Sequence, residues 1–156
     1  MSRFFISLFN KYVTSALTVI LFVFAGAKYH GPSVAGNSAT HIVFIENSWD
    51  EALKQAALKN KYIFVDAYAT WCGPCKMLKE QTFTDNKASA FYNANFINVA
   101  IDMEKVRVPG LSPYQWRLRA YPTMIIFNPK GKPVLGTVGF IKASELIRFG
   151  REALKK

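Results

Sequence analysis

At 156 residues, 51% hydrophobic and 15% aromatic, the chain is sized for one domain and too apolar to remain disordered. No repeat with a period of about 20 to 50 residues runs along it, which excludes a solenoid. Its formal charge is +10, yet the Lys and Arg residues are scattered rather than clustered, so nucleic acid is not an expected partner.

Arg3 and Lys11 precede an uncharged run from Tyr12 to Ala27, which ends in Ala25-Gly26-Ala27 with small residues at both positions that a signal peptidase inspects. As a helix this run would reach about 24 Å, short of the roughly 30 Å hydrocarbon core of a bilayer. Drawing Phe4 to Phe9 into the membrane would bury Lys11, at about 2.5–3.5 kcal/mol near the centre. Residues 1–27 are therefore expected to be an export signal cleaved after Ala27, with a retained N-terminal anchor as the alternative. No cysteine lies near this stretch to carry a lipid. Without it, 18 basic and 10 acidic residues leave a charge of +8. The densest basic stretch is Lys105, Arg107, Arg117 and Arg119, read either as solvated surface or as a patch that steers an acidic partner.

Residues 28–40, rich in Gly, Ser, Pro and Asn, form a linker, and a domain spans 41–156. It opens with a short apolar strand, His41 to Ile45. Ser48-Trp49-Asp50-Glu51 has the capping-box pattern and starts a helix running to about Asn60. Tyr62 to Ala69 is an apolar, β-prone run interrupted by Asp66. Cys72 follows at once, and Lys76 to Gln81 has helical composition, so both cysteines lie at a strand-to-helix turn. A helix from Asp85 to Asn95 and a strand from Phe96 to Ile101 complete a second strand-helix-strand unit. After a loop from Met103 to Leu111, Ser112-Pro113 with Gln115 starts another helix, which ends before Tyr121-Pro122. Thr123 to Phe127 and Pro133 to Gly139 are strands joined by Asn128-Pro129-Lys130-Gly131-Lys132, a hairpin turn. Ala143 to Lys155 is an amphipathic helix expected to bury Leu146, Ile147, Phe149 and Leu154. The order of elements is that of an α/β sandwich with a mixed sheet.

The chain has two cysteines, spaced C-x-x-C. Thiol exchange needs a thiolate, and unpaired N–H groups with a positive dipole end at a helix start can lower a cysteine pKa from ~8.5 to about 7 or below. Cys72 is the candidate nucleophile. Cys75, within disulfide reach on the first helical turn, can resolve a mixed disulfide before the substrate leaves. Pro74 pre-sets the helical φ and has no N–H to leave unpaired. Zinc would need four ligands, and only His30 and His41 are available beside the cysteines, so no metal is expected. Copper carriage would need a different spacing and a nearby histidine. A purely structural disulfide stays open as an alternative, although so short a loop restrains little of the unfolded chain. Asp66, a lone carboxylate in an apolar strand, is either an exposed strand residue or, if buried, a proton acceptor and donor for Cys75.

Taken together, Val65-Asp66-Ala67-Tyr68-Ala69-Thr70-Trp71-Cys72-Gly73-Pro74-Cys75-Lys76 resembles the active-site segment of the thioredoxin family, and Tyr121-Pro122-Thr123 resembles its cis-proline turn. The resemblance runs from about residue 41 to the end. Gln81-Thr82-Phe83 and Val138-Gly139-Phe140 resemble the exported branch that holds the C-terminal domains of transmembrane thiol-disulfide interchange proteins. It implies a thioredoxin-like three-layer sandwich, a mixed central sheet flanked by helices, with Cys72 exposed, Cys75 shielded and Asp66 buried beneath them. It implies a cis Pro122 facing the disulfide, the backbone of Tyr121 free to pair with an extended substrate, and a binding rim of Trp71, Gly73, Pro74, Tyr121, Pro122 and Gly139. Two departures stand out: Asn98 replaces a lysine that many thioredoxins carry near the buried aspartate, and Tyr121 replaces their usual isoleucine.

The implied function is an exported, periplasmic thiol-disulfide oxidoreductase that reduces protein disulfides. It would need no cofactor beyond the Cys72–Cys75 pair, and an upstream dithiol donor, membrane-embedded in one version, would reset it. Gly73-Pro74 is the dipeptide of reducing thioredoxins, whose potential is about −270 mV against about −120 mV for the strongest oxidant of the fold. A disulfide oxidase or isomerase and a redox-inactive binding or assembly module are the alternatives. No dimerisation segment is apparent, so a monomer is expected.

Overall fold

Tyr62–Tyr68, the central strand, sends alternate side chains to opposite faces of a sheet, and that parity organises everything around it. The computed structural model describes residues 39–105 and 118–156. The expected leader, most of the linker and the helix expected from Ser112 lie outside these residues.

In chain order the elements are β1 (Ile45–Glu46), α1 (Trp49–Lys59), β2 (Tyr62–Tyr68), α2 (Gly73–Met77), a π-helical turn (Leu78–Thr82), α3 (Asn86–Asn95), β3 (Phe96–Asp102), β4 (Thr123–Phe127), β5 (Pro133–Val138) and α4 (Ala143–Ala153). The strands form one mixed sheet ordered β1-β3-β2-β4-β5. β3 runs parallel to both β1 and β2, with Asp66 opposite Ala100. β4 runs antiparallel to β2, with Asp66 opposite Met124, and pairs antiparallel with β5. The expected mixed sheet flanked by helices is therefore present.

One face is covered by α1, where Ala52 and Ala56 pack on Ile63, Val65, Ala67, Val99 and Ile125. The other is covered by α2 with its π-helical turn, α3 and α4. There Leu78, Tyr92, Leu146 and Phe149 meet Phe64, Phe96, Met124 and Ile126. Phe64 and Tyr92 lie 4.5 Å apart between ring centroids, and the Tyr92 hydroxyl donates to the carbonyl of Leu146 at 2.8 Å. Where α4 crosses α3, a Cβ at Gly150 would stand 2.7 Å from Phe91 and 2.9 Å from the Tyr92 hydroxyl, so only glycine permits this approach.

Several local expectations are corrected. The first strand is confined to Ile45–Glu46. Before it, Ile42 N donates to Phe83 O and Val43 N donates to Asn93 Oδ1, so this backbone is tied to helix ends and side chains instead of a ladder. α1 starts as expected, but the Ser48 side chain makes no capping bond. After Met77 the helix widens into the π turn, where Phe83 N reaches Leu78 O and Thr82 Oγ1 donates to Ile141 O at 2.7 Å. In α4, Leu146 and Phe149 are buried and Ile147 is half-buried, whereas Leu154 is exposed and Gly150 and Ala153 face inward.

Candidate active site

β2 ends at Tyr68, and four residues later the chain turns into α2 with Cys72 as its N-cap and Pro74 in the first turn. Cys72 and Cys75 form a disulfide, with Cα atoms 5.3 Å apart. Cys75 N donates to Cys72 Sγ at 3.2 Å, so one orphan donor of the helix start is aimed at the candidate nucleophile. Cys75 is shielded as expected, but Cys72 is not exposed: it is 3% accessible and Cys75 6%. Tyr68, Ala69 and Tyr121 pack over the pair, and the Cys72 sulfur turns inward to Cys75.

The rim around the pair is uneven. Gly73 and Pro74 are exposed, and Trp71 is 67% accessible. The Trp71 indole N–H donates to Glu104 Oε1 at 2.6 Å, and its ring meets Tyr121 edge-on at 6.1 Å, which orients an otherwise free side chain. The Tyr121-Pro122 peptide is cis and Pro122 is buried. Pro122 O accepts from Gly139 N at 2.8 Å, while the N–H and C=O of Tyr121 pair with no described residue. Gly139 has φ +90° and open space where a Cβ would lie, so glycine is required there by conformation, not by crowding. The rim residues expected from the sequence are thus together at one end of the sheet.

Asp66 shares the parity of Phe64 and lies on the face covered by the active-site helix. It is buried, its Oδ1 has no hydrogen-bond partner among the described residues, and it lines a cavity of about 270 Å³ together with Cys75. Burial pushes its pKa up to about 7, with the Lys79 charge pulling down and the Glu46 charge pushing up. Burial also raises the phenols of Tyr68 and Tyr121.

The thioredoxin-like domain family matches residues 49–154. The chain belongs to that family. This thioredoxin-like chain is 36% identical over 114 residues to Thioredoxin H2-2 of Oryza sativa subsp. japonica, covering 72% of this chain and 78% of that protein. It is 24% identical over 154 residues to the thiol:disulfide interchange protein DsbD of Pseudoalteromonas atlantica, covering 89% of this chain and 26% of that one. The chain thus spans about a quarter of that relative's length. A solution structure from Bacteroides thetaiotaomicron, provisionally assigned as a disulphide-isomerase, is 37% identical with a TM-score of 0.65 over 74% of this chain and 95% of that one.

Asn98, the expected departure, lies in β3 two residues before Ala100, which stands opposite Asp66. Asn98 stands opposite Phe64 in the sheet, and its amide donates to Val43 O and Asn93 Oδ1. The cation that bears on Asp66 is Lys79, four residues beyond Cys75 on the helix. Lys79, Glu46 and Glu104 were not legible as site residues. Lys79 alone left a trace, since a residue at i+4 shares the helical face of Cys75; the two glutamates arrive from β1 and from the end of β3. Of the basic stretch, Lys105 pairs with Asp102 at 3.3 Å, Arg119 is exposed, and Arg107 and Arg117 lie outside the described residues. No group of three or more metal-ligating side chains occurs among the described residues, and no helix among them is long and apolar enough to cross a membrane.

Proposed function

We propose that the protein is an exported thiol-disulfide oxidoreductase that reduces protein disulfides, with Cys72 as nucleophile, Cys75 as resolving thiol and Asp66 as proton acceptor. The observation that carries the reading is the Cys72–Cys75 disulfide at a helix start, directly beside a cavity that Asp66 also lines. In the reduced protein the Cys75 N–H that now reaches Cys72 Sγ would stabilise a Cys72 thiolate. That thiolate attacks one sulfur of the target; the target disulfide breaks and a mixed disulfide forms. The Cys75 proton passes to Asp66, for which the cavity has room to hold water as a relay. The Cys75 thiolate then attacks Cys72 Sγ, the target sulfur bonded to Cys72 leaves as a thiolate, both released target sulfurs take protons from Asp66 or water, and the two electrons that reduced the target leave the Cys72–Cys75 pair oxidised. A dithiol donor must return them.

The backbone of Tyr121, which pairs with no described residue, suits an extended substrate segment that adds strand-like bonds. Export is supported by the Arg3 to Ala27 pattern, and the reducing direction by Gly73-Pro74. Equilibrating the full chain against dithiothreitol or glutathione buffers is expected to give a potential of about −250 mV or lower, with insulin-disulfide reduction that Cys72→Ser abolishes. A value of about −150 mV or higher would overturn the reductase reading in favour of an oxidase or isomerase. The likeness to the provisionally assigned disulphide-isomerase favours the isomerase as the second reading. Failure of the wild-type chain to reduce insulin at any pH would favour a redox-inactive binding module.

A further inference from the structure

Asp66 does not face a uniform environment. The cavity beside it is walled by Phe44 and Phe83, by Cys75, and by two oppositely charged residues, Glu46 from β1 and Lys79 from the helix. Lys79 is exposed and forms no ion pair with a described carboxylate. Among the described residues, the charged or titratable groups that line the cavity with Asp66 are Glu46 on β1, Tyr68 on β2 itself, and Cys75, Lys76 and Lys79 on the helical segment. β3 and β4 present Ala100 and Met124, which carry none. A carboxyl that must be ionised to accept a proton is disfavoured in that form by burial, and the charges of Lys79 and Glu46 at the cavity then act on it with opposite signs.

We propose that Lys79 is a positioning residue for thiol exchange: its ammonium, lining the same cavity as Asp66 and countered there by Glu46, favours the ionised form of Asp66 that takes the proton from Cys75. The proposal rests on the reading of Asp66 as proton acceptor. Electrostatics supports it, because of the named influences on Asp66 burial is the largest, Lys79 is the counterweight, and Glu46 adds to burial. Lys76 also lines the cavity but is not among those influences, which makes it an internal control.

The test has two readouts on the full chain. The first is a carboxyl carbon NMR titration of Asp66 in the oxidised protein, which requires no substrate. Lys79→Gln is expected to raise the Asp66 midpoint by about half a pH unit or more, Lys79→Glu by more still, and Glu46→Gln to lower it. Lys79→Arg should keep the wild-type midpoint, as should Lys76→Gln. Because Lys79 is exposed, the Lys79→Gln shift should shrink as salt rises from about 0.05 to about 0.5 M. The second readout is the pH profile of the coloured thiol released when Cys75 resolves a mixed disulfide between Cys72 and thionitrobenzoate. There Cys75 gives its proton to Asp66, the bond from Cys72 to thionitrobenzoate breaks, the Cys72–Cys75 bond forms, and thionitrobenzoate leaves. This profile should move with the NMR midpoint in each variant. An Asp66 midpoint unmoved by Lys79→Gln overturns the proposal, and so does a moved midpoint with an unmoved release profile. Loss of insulin reduction in the wild type, with both shifts present, would instead sink the reductase reading and leave the Lys79 assignment standing.

Discussion

β2 serves two faces that differ in kind. Toward α1 it presents Ile63, Val65 and Ala67, each fully buried against alanines and β-branched side chains. Toward α2, α3 and α4 it presents Phe64, packed in an aromatic core with Phe83 and Tyr92, and then Asp66, with a carboxyl oxygen that has no partner among the described residues beside a cavity. One step of two residues along one face passes from a fully buried aromatic side chain to a carboxyl oxygen with no hydrogen-bond partner among the described residues. The difference teaches that the site is made by withholding packing and hydrogen bonds at one position of an otherwise regular strand. A buried carboxyl without a partner favours its neutral form, and the strand's other contacts supply the stability that tolerates it.

That contrast can be broken position by position. Phe64→Ala, on the packed part of the face, should destabilise the protein by about 3–5 kcal/mol in chemical denaturation, with both cysteines unchanged. Asp66→Asn should act in the opposite direction, and its effect should depend on pH. The Asp66 pKa is raised from 3.8 to about 7 in the folded chain. The folded state therefore binds a proton more readily than the unfolded one, so this group's stabilisation is present in full below about pH 4 and is lost as pH rises toward 7. Removing the carboxylate should stabilise the oxidised protein by about 2–4 kcal/mol at pH 8, with the gain fading toward pH 4 and resolution by Cys75 slowed. A denaturation series across that pH range reads the sign; a gain independent of pH would count against a raised Asp66. The smallest effect is expected at the rim. Gly139→Ala, at φ +90° with no neighbour to strike, should lower stability by about 1 kcal/mol through backbone strain alone, readable as a modest fall in Tm with the disulfide potential unchanged.

Sequence by itself determined most of the described elements and the placing of the two cysteines at a strand-to-helix turn. The alternation of β2, the Pro74 that suits a first helical turn, and the spacing of Cys72 and Cys75 are local properties, written in residues that touch along the chain. Even the distant Tyr121-Pro122 and Gly139 were legible, because they carry the signature of a known family. Tertiary structure alone decided which charges meet Asp66, how far Cys72 is covered, and what orients Trp71. Glu46, Lys79 and Glu104 carry no local signal for these roles, since each acts across a gap between elements whose approach is set by core packing. The same holds for Asn98, which stands where many thioredoxins carry a lysine and whose amide donates to Val43 and Asn93. Periodicity and propensity act within an element, whereas electrostatics and burial act through space, and only the folded sheet brings those spaces together.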